Sequence, residues 1–228
     1  MLSAAEWEIV ALSLKVGGVA MAVTLPIAFA LAWLLARVAF PGKILVDAAI
    51  HLPLVVPPVV TGWVLLLAFA PNGPIGGWLQ GFGITVLFRW TGAAIAAGVM
   101  ALPLMVRAMR LSIEAVDRRL ESAARTLGAG PGRVFWTVTL PLSVPGVLAG
   151  AVLGFARSIG EFGATITFVS NVPGQTQTLP LAIYSAVQQP NGDALAWRLS
   201  AISVGLSLVA LVASELLTRR AGRGLHVL

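Results

Sequence analysis

The sequence predicts an all-α polytopic membrane protein with five transmembrane helices, and three observations carry this prediction. Of its 228 residues, 58% are hydrophobic and only 11% are charged, and the mean hydropathy is +0.92. Long uncharged runs alternate with short polar connections, as in chains that cross a bilayer. The cations gather in those connections. A soluble core is excluded, and a single transmembrane domain over residues 1–228 is expected.

The first span follows from a charge-free run of bilayer length. Between Lys15 and Arg37 lie 21 uncharged residues, close to the roughly 20 that cross the hydrocarbon at 1.5 Å per residue. Pro26 lies inside this run and predicts a kink that a membrane helix tolerates. A short turn over 37–47, with Pro41 and Gly42, leads on to the second span.

The second span, over 50–70, is rich in proline. Pro53, Pro57 and Pro58 predict a broken or strongly bent helix. Irregular backbone at membrane depth is confined to places buried in protein or lining a cavity. Two interpretations stay open: a packing kink, or a wall of a translocation path.

The third and fourth spans are predicted over 90–106 and 142–160. A loop over 71–83 precedes the third, with Trp78 and Trp90 as interface anchors. At the end of the fourth, Arg157 and Glu161 fall four residues apart, as on one helical face. Charges at membrane depth are usually functional or paired, so a structural ion pair and a direct substrate contact both remain open.

The remainder holds one further span. Neither half of 162–189 is long enough to cross alone, so we expect an external loop with room for a re-entrant or interfacial piece. The fifth span covers 199–217 and is followed by a basic tail with Arg219, Arg220 and Arg223.

The most polar stretch is the window 107–141, which contains six arginines and three acids. Apolar residues recur in it at three- and four-residue spacing, which predicts one amphipathic helix: Ile113, Val116, Leu120, Ala123, Ala124 and Leu127. Gly128 is placed to end that helix, and Pro131 to begin a second, shorter one. We expect this helix–glycine–helix segment to lie in water and to offer a surface to a partner.

The cations also predict the orientation. Eleven of them fall on one side if the 37–47 turn, the 107–141 window and the tail lie together. By the positive-inside tendency that side is cytoplasmic. The N-terminus is then outside and the C-terminus inside, which requires an odd number of spans.

Several function classes are disfavoured. The cations are not interleaved with exposed aromatic residues, so a nucleic-acid partner is not expected. Cysteine is absent, and His51 and His226 lie in different segments. We therefore expect no metal site, no cofactor and no catalytic residue. This disfavours a membrane-embedded enzyme.

The chain is also predicted to depend on other polypeptides. It carries no GxxxxGK[ST] phosphate-binding loop, so we expect ATP hydrolysis on a separate subunit. Five spans are few for enclosing a polar path, which favours self-association with two-fold symmetry.

The stretch ESAARTLGAGPGRVFWTVTLP, over 121–141, resembles the EAA loop of bacterial ABC-importer permeases. Aligned on the loop glycine, Ala123 and Ala124 fill the alanine places, whereas Ser122 occupies the glutamate place and Glu121 lies one residue earlier. The resemblance implies that the 107–141 segment is the cytoplasmic coupling loop. It assigns ATPase docking to Glu121, Ser122, Ala123, Ala124, Arg125, Gly128, Leu140 and Pro141.

Further stretches are similar to the molybdate permease subunits of these importers: HLPLVVPPVVTGWVLLL, NGPIGGWL, ALPLMVRAMRLSIEAVD and FARSIGEFGATITFVSNVPGQTQTLP. The resemblance implies a type I ABC importer permease fold in the bacterial inner membrane. It also implies a homodimer, two cytoplasmic ATPase subunits and a binding protein that delivers molybdate to the outer face.

The translocation path is less well marked. Hydroxyls and freed backbone groups suit a tetrahedral oxyanion, although Ser and Thr more often serve helix packing. The candidates are Pro57, Pro58, Thr61, Arg157, Ser158, Glu161, Thr165 and Thr167. Alternatives that stay open are a permease for sulfate, thiosulfate or tungstate, and a stand-alone secondary transporter or channel, which would need more spans or an internal repeat.

Overall fold

The structure is a computed structural model that describes residues 3–225. It does not describe the side chains of 214, 215 and 217–225, so the arginines of the predicted basic tail lie outside the description. All regular elements in the described part are helical. They are α1 (Ala4–Arg37), α2 (Lys43–Val55), α3 (Pro58–Phe69), α4 (Gly76–Gln80), α5 (Trp90–Ala115), α6 (Arg118–Thr126), α7 (Pro131–Val134), a π-helical turn (Phe135–Thr139), α8 (Leu140–Ile159), α9 (Gly163–Val169), α10 (Leu179–Val187) and α11 (Asp193–Leu225).

Helix α1 is much longer than the first span. Ser3 and Glu6 form a capping box at its start, in which each side chain accepts from the other residue's backbone N–H, so two orphan donors are satisfied. At its other end Val38 is extended, and Gly42 takes a positive φ of 81° in the turn to α2.

Helices α2 and α3 bend by 115° at the break between them, as in a broken span or a re-entrant loop. Val56 and Pro57 are both extended, at ψ 137° and 135°, because each precedes a proline, which disfavours the helical region. The predicted break at Pro57 and Pro58 is therefore confirmed, and Pro58 begins α3 where its missing N–H costs nothing.

Two apolar clusters show how the bent pair still crosses the bundle. One joins the C-terminal halves of α1 and α5 to Ile50 of α2. The other joins Val16 and Ala20 of α1 to Phe168 of α9, and α3 packs against it through Phe69. Since α2 lies at the α6 end of the bundle and α3 at the opposite end, the pair contacts both halves of the bundle.

Length and composition agree with the five predicted spans if the bent α2–α3 pair counts as one span. Four helical runs are long and apolar enough to cross a membrane, and the bent α2–α3 pair makes a fifth. At the end opposite α6, the Glu6 carboxylate accepts from Arg198 Nε at 2.8 Å. This contact places the starts of α1 and α11 at one end of the bundle.

The predicted single amphipathic helix over 107–127 is wrong. Helix α5 continues to Ala115, nine residues beyond the predicted end of span three, and α6 starts anew at Arg118. Arg107 and Arg110 thus belong to a spanning helix rather than to the loop. The break follows from Asp117, which caps α6 by accepting the backbone N–H of Arg119 at 2.8 Å.

Span four starts earlier than predicted. Helix α7, the π-helical turn and α8 form one continuous run over Pro131–Ile159. Pro131 begins it as expected, but Leu140 and Pro141 lie inside it rather than at a junction between loop and span. The π-helical turn accommodates Pro141, whose missing N–H leaves a gap in the regular ladder.

The 162–189 segment is an ordered, packed part of the fold. Helix α9 buries Ala164, Thr165 and Phe168, and the backbone N–H of Leu179, in α10, donates to Ser13 Oγ of α1 at 2.7 Å. Neither helix is long enough to cross alone, as predicted. Span five is longer than the predicted 199–217, because α11 begins at Asp193.

Candidate functional site

The α6–α7 segment (residues 117–134) is built by local capping signals. Gly128 ends α6 with a φ of +86°, a left-handed conformation that glycine adopts without strain. The backbone N–H of Ala129 returns to the Ala124 carbonyl at 3.0 Å, which satisfies one of the last carbonyls. Gly130 is extended and Pro131 opens α7. The predicted glycine turn is therefore present.

The outward side of α6 carries two leucines that no other part of the described chain covers. Leu127 is 88% exposed and Leu120 is 50% exposed, and Ser122, Ala123 and Arg125 lie exposed between them. Water-exposed leucines on a short helix outside the apolar bundle mark a contact surface. Of the predicted docking residues, Ala124 and Leu140 are half-buried, while Gly128 and Pro141 are exposed.

Glu121 faces inward, away from that surface. It is buried, and its Oε1 atom lies 3.0 Å from Arg37 Nη2 and accepts from the Thr139 hydroxyl at 2.8 Å. The same Arg37 nitrogen donates to the Ile113 carbonyl at 2.9 Å. This group of side chains, the Arg37–Glu121–Thr139 cluster, joins the ends of α1 and α5 to α6 and to the start of the α7–α8 run.

Arg37 and Thr139 are site residues that sequence reasoning missed. The charge pattern places Arg37 only among the cations of the positive-inside side, and nothing in the local sequence singles out Thr139. Arg37 and Ile113 are 76 residues apart in the chain, so no local pattern brings them together. The available signal was the position of Arg37 as the first charge after the 21-residue run.

The candidate path residues meet where two helix breaks face each other. The first break is at Pro57–Pro58, between α2 and α3, and the second is at 160–162, between α8 and α9. A Cβ built on Gly163 would lie 2.7 Å from Pro58 Cβ, and one on Gly62 would lie 2.5 Å from the Ala164 carbonyl oxygen. Such closeness requires glycine at both positions.

The polar side chains near these breaks differ in exposure. Pro57 and Pro58 are exposed, Thr61 and Thr167 are half-buried, and Thr165 is buried. Thr167 donates to the Gly163 carbonyl at 3.0 Å. Ser158 is buried, and its Oγ has no hydrogen-bond partner within the described residues.

Arg157 and Glu161 form the predicted ion pair, with Nη1 and Oε2 2.5 Å apart. They do not share a helix, because α8 ends at Ile159 and Gly160 caps it. Glu161 also accepts the backbone N–H of Ala164 at 2.7 Å, at the start of α9. The pair therefore fixes the α8–α9 break, as the structural interpretation predicts.

The structure keeps the docking and path residues apart. The predicted docking residues lie at the α6 end, whereas the predicted path residues lie at the two breaks, on the elements that pack toward the other end. Within the part of the chain that the structure describes, no three His, Asp or Glu side chains gather as a metal site requires.

Comparison with known proteins identifies the architecture. Residues 22–223 match the family model described as a binding-protein-dependent transport system inner membrane component. The molybdenum transport system permease protein ModB of Escherichia coli K12 is 55% identical over 228 residues, covering 98% of this chain and 100% of that protein. ModB of Haemophilus influenzae is 56% identical over 216 residues, 94% of each chain.

A sulfate transport system permease protein, CysT of Escherichia coli K12, is 37% identical over 193 residues, covering 85% of this chain and 69% of that protein. Among solved structures, a bacterial alginate ABC transporter in complex with its pentasaccharide-bound periplasmic protein matches with a TM-score of 0.77 at 17% identity, over 96% of this chain and 80% of that chain. The MetNI methionine ABC transporter matches with a TM-score of 0.68 at 19% identity, over 95% and 94%. The fold expected from the resemblance, that of a type I ABC importer permease, is thus confirmed.

Proposed function

The chain belongs to the binding-protein-dependent transport system inner membrane components, and we propose that it is the permease subunit of an ATP-driven importer that translocates molybdate. The observation that carries the transport role is the exposed apolar face of α6 on a five-span bundle. The full-length similarity to two relatives named as molybdenum permeases supports the substrate.

The outward face of α6 is the proposed docking surface for a separate ATPase subunit. Leu120, Ala123 and Leu127 supply apolar area, and Arg125 supplies a charge that can pair with an acid on the partner. Gly128 sets the turn, and Leu140 and Pro141 continue the docked segment into α8. Ser122 is exposed and occupies the place of the family's glutamate, so it is the proposed polar contact with the ATPase. Glu121 is buried and is proposed to act from inside the bundle.

The Arg37–Glu121–Thr139 cluster is proposed to carry ATPase movement into the bundle. A displacement of α6 acts on Glu121, which Arg37 binds at the end of α1 and Thr139 binds at the start of the α7–α8 run. Because packed interfaces switch between discrete arrangements rather than deform continuously, the α6–α7 segment and these two spans are expected to move together.

The working unit is proposed to be a homodimer with the α6 side in the cytoplasm. Helix α3 exposes Val59, Trp63 and Leu67 at four-residue spacing, which supports contact of this helix with a second copy. The path would then run beside the two helix breaks, with Pro57, Pro58, Thr61, Ser158 and Thr165 offering weak contacts to the oxyanion. The binding protein would meet the opposite, outer end.

Co-purification with the ATPase subunit tests the docking surface. Replacing both Leu120 and Leu127 with Ala removes two exposed anchors, and we expect association to weaken at least about tenfold, since anchor residues often contribute more than 1 kcal/mol each. Ile75→Ala is the matched control, because Ile75 is an exposed aliphatic residue in the loop before α4. Equal affinity of the docking variant and the wild type would overturn the assignment.

Uptake into proteoliposomes tests the substrate and the energy source. With ATPase, ATP and loaded binding protein present, we expect molybdate to accumulate. Sulfate, thiosulfate and tungstate are tested in parallel, and preferential sulfate uptake would favour the alternative suggested by the 37% identical relative. Accumulation with this chain as the sole protein would instead identify a stand-alone transporter.

A further inference from the structure

A polar cavity of about 460 Å³ lies between the end of α1 and the α6–α7 segment. Its charged lining consists of Arg37, Arg118, Arg125 and Glu121, and Trp33 and Phe135 form part of its apolar wall. Leu120 and Leu127 do not line it, whereas Ser122 and Arg125 of the proposed docking surface do. Docking of an ATPase to the exposed leucines does not by itself account for the positive charge of this cavity.

The cavity carries an excess of positive charge. Three guanidinium groups and one carboxylate leave a net +2. The carboxylate of Glu121 is already bound by Arg37 and Thr139, while Arg118 and Arg125 form no ion pair within the described residues. Two exposed guanidinium groups without an anionic partner make an anionic group the fitting occupant.

The depth of the cavity indicates where that group comes from. Arg37 is the first charge after the 21 uncharged residues of α1, so it marks the boundary between hydrocarbon and water. Trp33 lies one helical turn before it, at the level where aromatic side chains contact lipid headgroups. Lipid phosphates occupy this level, and an apolar wall beside the arginines suits the glycerol and acyl part of the same molecule.

We propose that this cavity binds the headgroup phosphate of an anionic phospholipid. Arg118 and Arg125 of α6 bind the phosphate oxygens, since guanidinium groups pair well with phosphate. Trp33 and Phe135 contact the apolar part of the lipid. The bound lipid links α1 to α6 and stabilises the α6–α7 segment in the position from which it contacts a partner.

Lipid retention by the purified full-length chain tests this proposal. Native mass spectrometry in detergent compares the binding of dioleoyl phosphatidylglycerol with that of dioleoyl phosphatidylcholine. We expect one phosphatidylglycerol per chain to be retained preferentially. The double variant Arg118→Gln/Arg125→Gln should weaken this binding by about 25-fold, at about fivefold for each arginine near an anionic lipid.

The matched control is Arg119→Gln/Arg133→Gln. It removes the same charge from the same segment at two exposed arginines that do not line the cavity, and it should retain the lipid as the wild type does. Equal losses in the two double variants, or no preference for phosphatidylglycerol, would overturn the proposal. If a double variant does not fold, Arg118→Gln compared with Arg119→Gln gives the same test.

Inorganic phosphate separates a lipid site from a site for free oxyanions. It is added at increasing concentration to the chain that carries phosphatidylglycerol. Retention of the lipid at millimolar phosphate supports a lipid site, because the apolar part of the lipid adds binding that phosphate lacks. Displacement at micromolar phosphate would show that the cavity selects a free anion and would overturn the lipid assignment.

Discussion

Glu121 is the residue on which the position of α6 depends. Its carboxylate is buried and bound by Arg37 and Thr139, so it cannot be replaced without leaving a buried charge or hydroxyl uncompensated. Such losses cost more than an exposed ion pair contributes. Glu121 therefore determines how α6 is held on the bundle rather than which partner α6 contacts.

Replacing Arg37 with Met should destabilise the protein by about 3–5 kcal/mol, because Glu121 is left as a buried charge without its partner. Arg37→Met/Glu121→Leu should recover part of this loss, although the Ile113 carbonyl still lacks its donor. Thermal denaturation in detergent measures the effect. Arg119→Met, at an exposed position on α6, is the control, and an unchanged midpoint in Arg37→Met would show that the cluster contributes nothing.

Gly128→Ala should destabilise the turn by about 1–2 kcal/mol, because an alanine there must adopt the left-handed region. No atom lies within 4 Å of the Cβ position, so backbone conformation alone sets this cost. Gly130→Ala is the matched control, since Gly130 has a φ of −67° and equally open surroundings. ATPase co-purification and thermal denaturation should separate the two variants; equal behaviour would contradict the conformational argument.

At the scale of elements, proline and glycine positions were predictable because they act through their own backbone. The stop at Gly128, the start at Pro131 and the break at Pro57–Pro58 all follow from local sterics. The break between α5 and α6 was not predictable from periodicity, because apolar spacing continues through Val116. It depends on Asp117 and on Arg37, whose guanidinium occupies the Ile113 carbonyl from a distant helix.

The packing of α9 against α3 gives a prediction at the same scale. Gly62→Ala should be destabilising by about 1–3 kcal/mol, as overpacked sites are, because its Cβ would lie 2.5 Å from the Ala164 carbonyl oxygen and 2.9 Å from Thr167 Cβ. Transport should fall with it if the two breaks line the path. Gly205→Ala in α11 meets open space and should be neutral. Normal stability and transport in Gly62→Ala would contradict the close packing.

At the scale of the whole molecule, the number of crossings was predictable and their lengths were not. Hydropathy and charge identify five spans because the bilayer imposes a minimum length. The extensions of α1, α5 and α11 beyond that minimum depend on contacts between helix ends, such as that of Glu6 with Arg198. The burial of α9 and α10 likewise depends on neighbours that a hydropathy profile does not reveal.

The orientation can be tested directly because the chain has no cysteine. Single cysteines at the exposed positions Ala5, Thr126 and Gln189 serve as reporters. In spheroplasts, a membrane-impermeant maleimide should label positions 5 and 189, whereas position 126 should react only after permeabilisation. Labelling of position 126 in intact spheroplasts would reverse the proposed topology, and the wild-type chain is the unlabelled control.

The helical run over Pro131–Ile159 can pass a tilt at one end of the span to its other end as a larger displacement. Its 29 residues make a rod about 43 Å long at 1.5 Å per residue, so a tilt of about 10° at the α6 end would displace the far end by about 7 Å. Such leverage would let a small movement at one membrane surface open a gap of molecular size near the other.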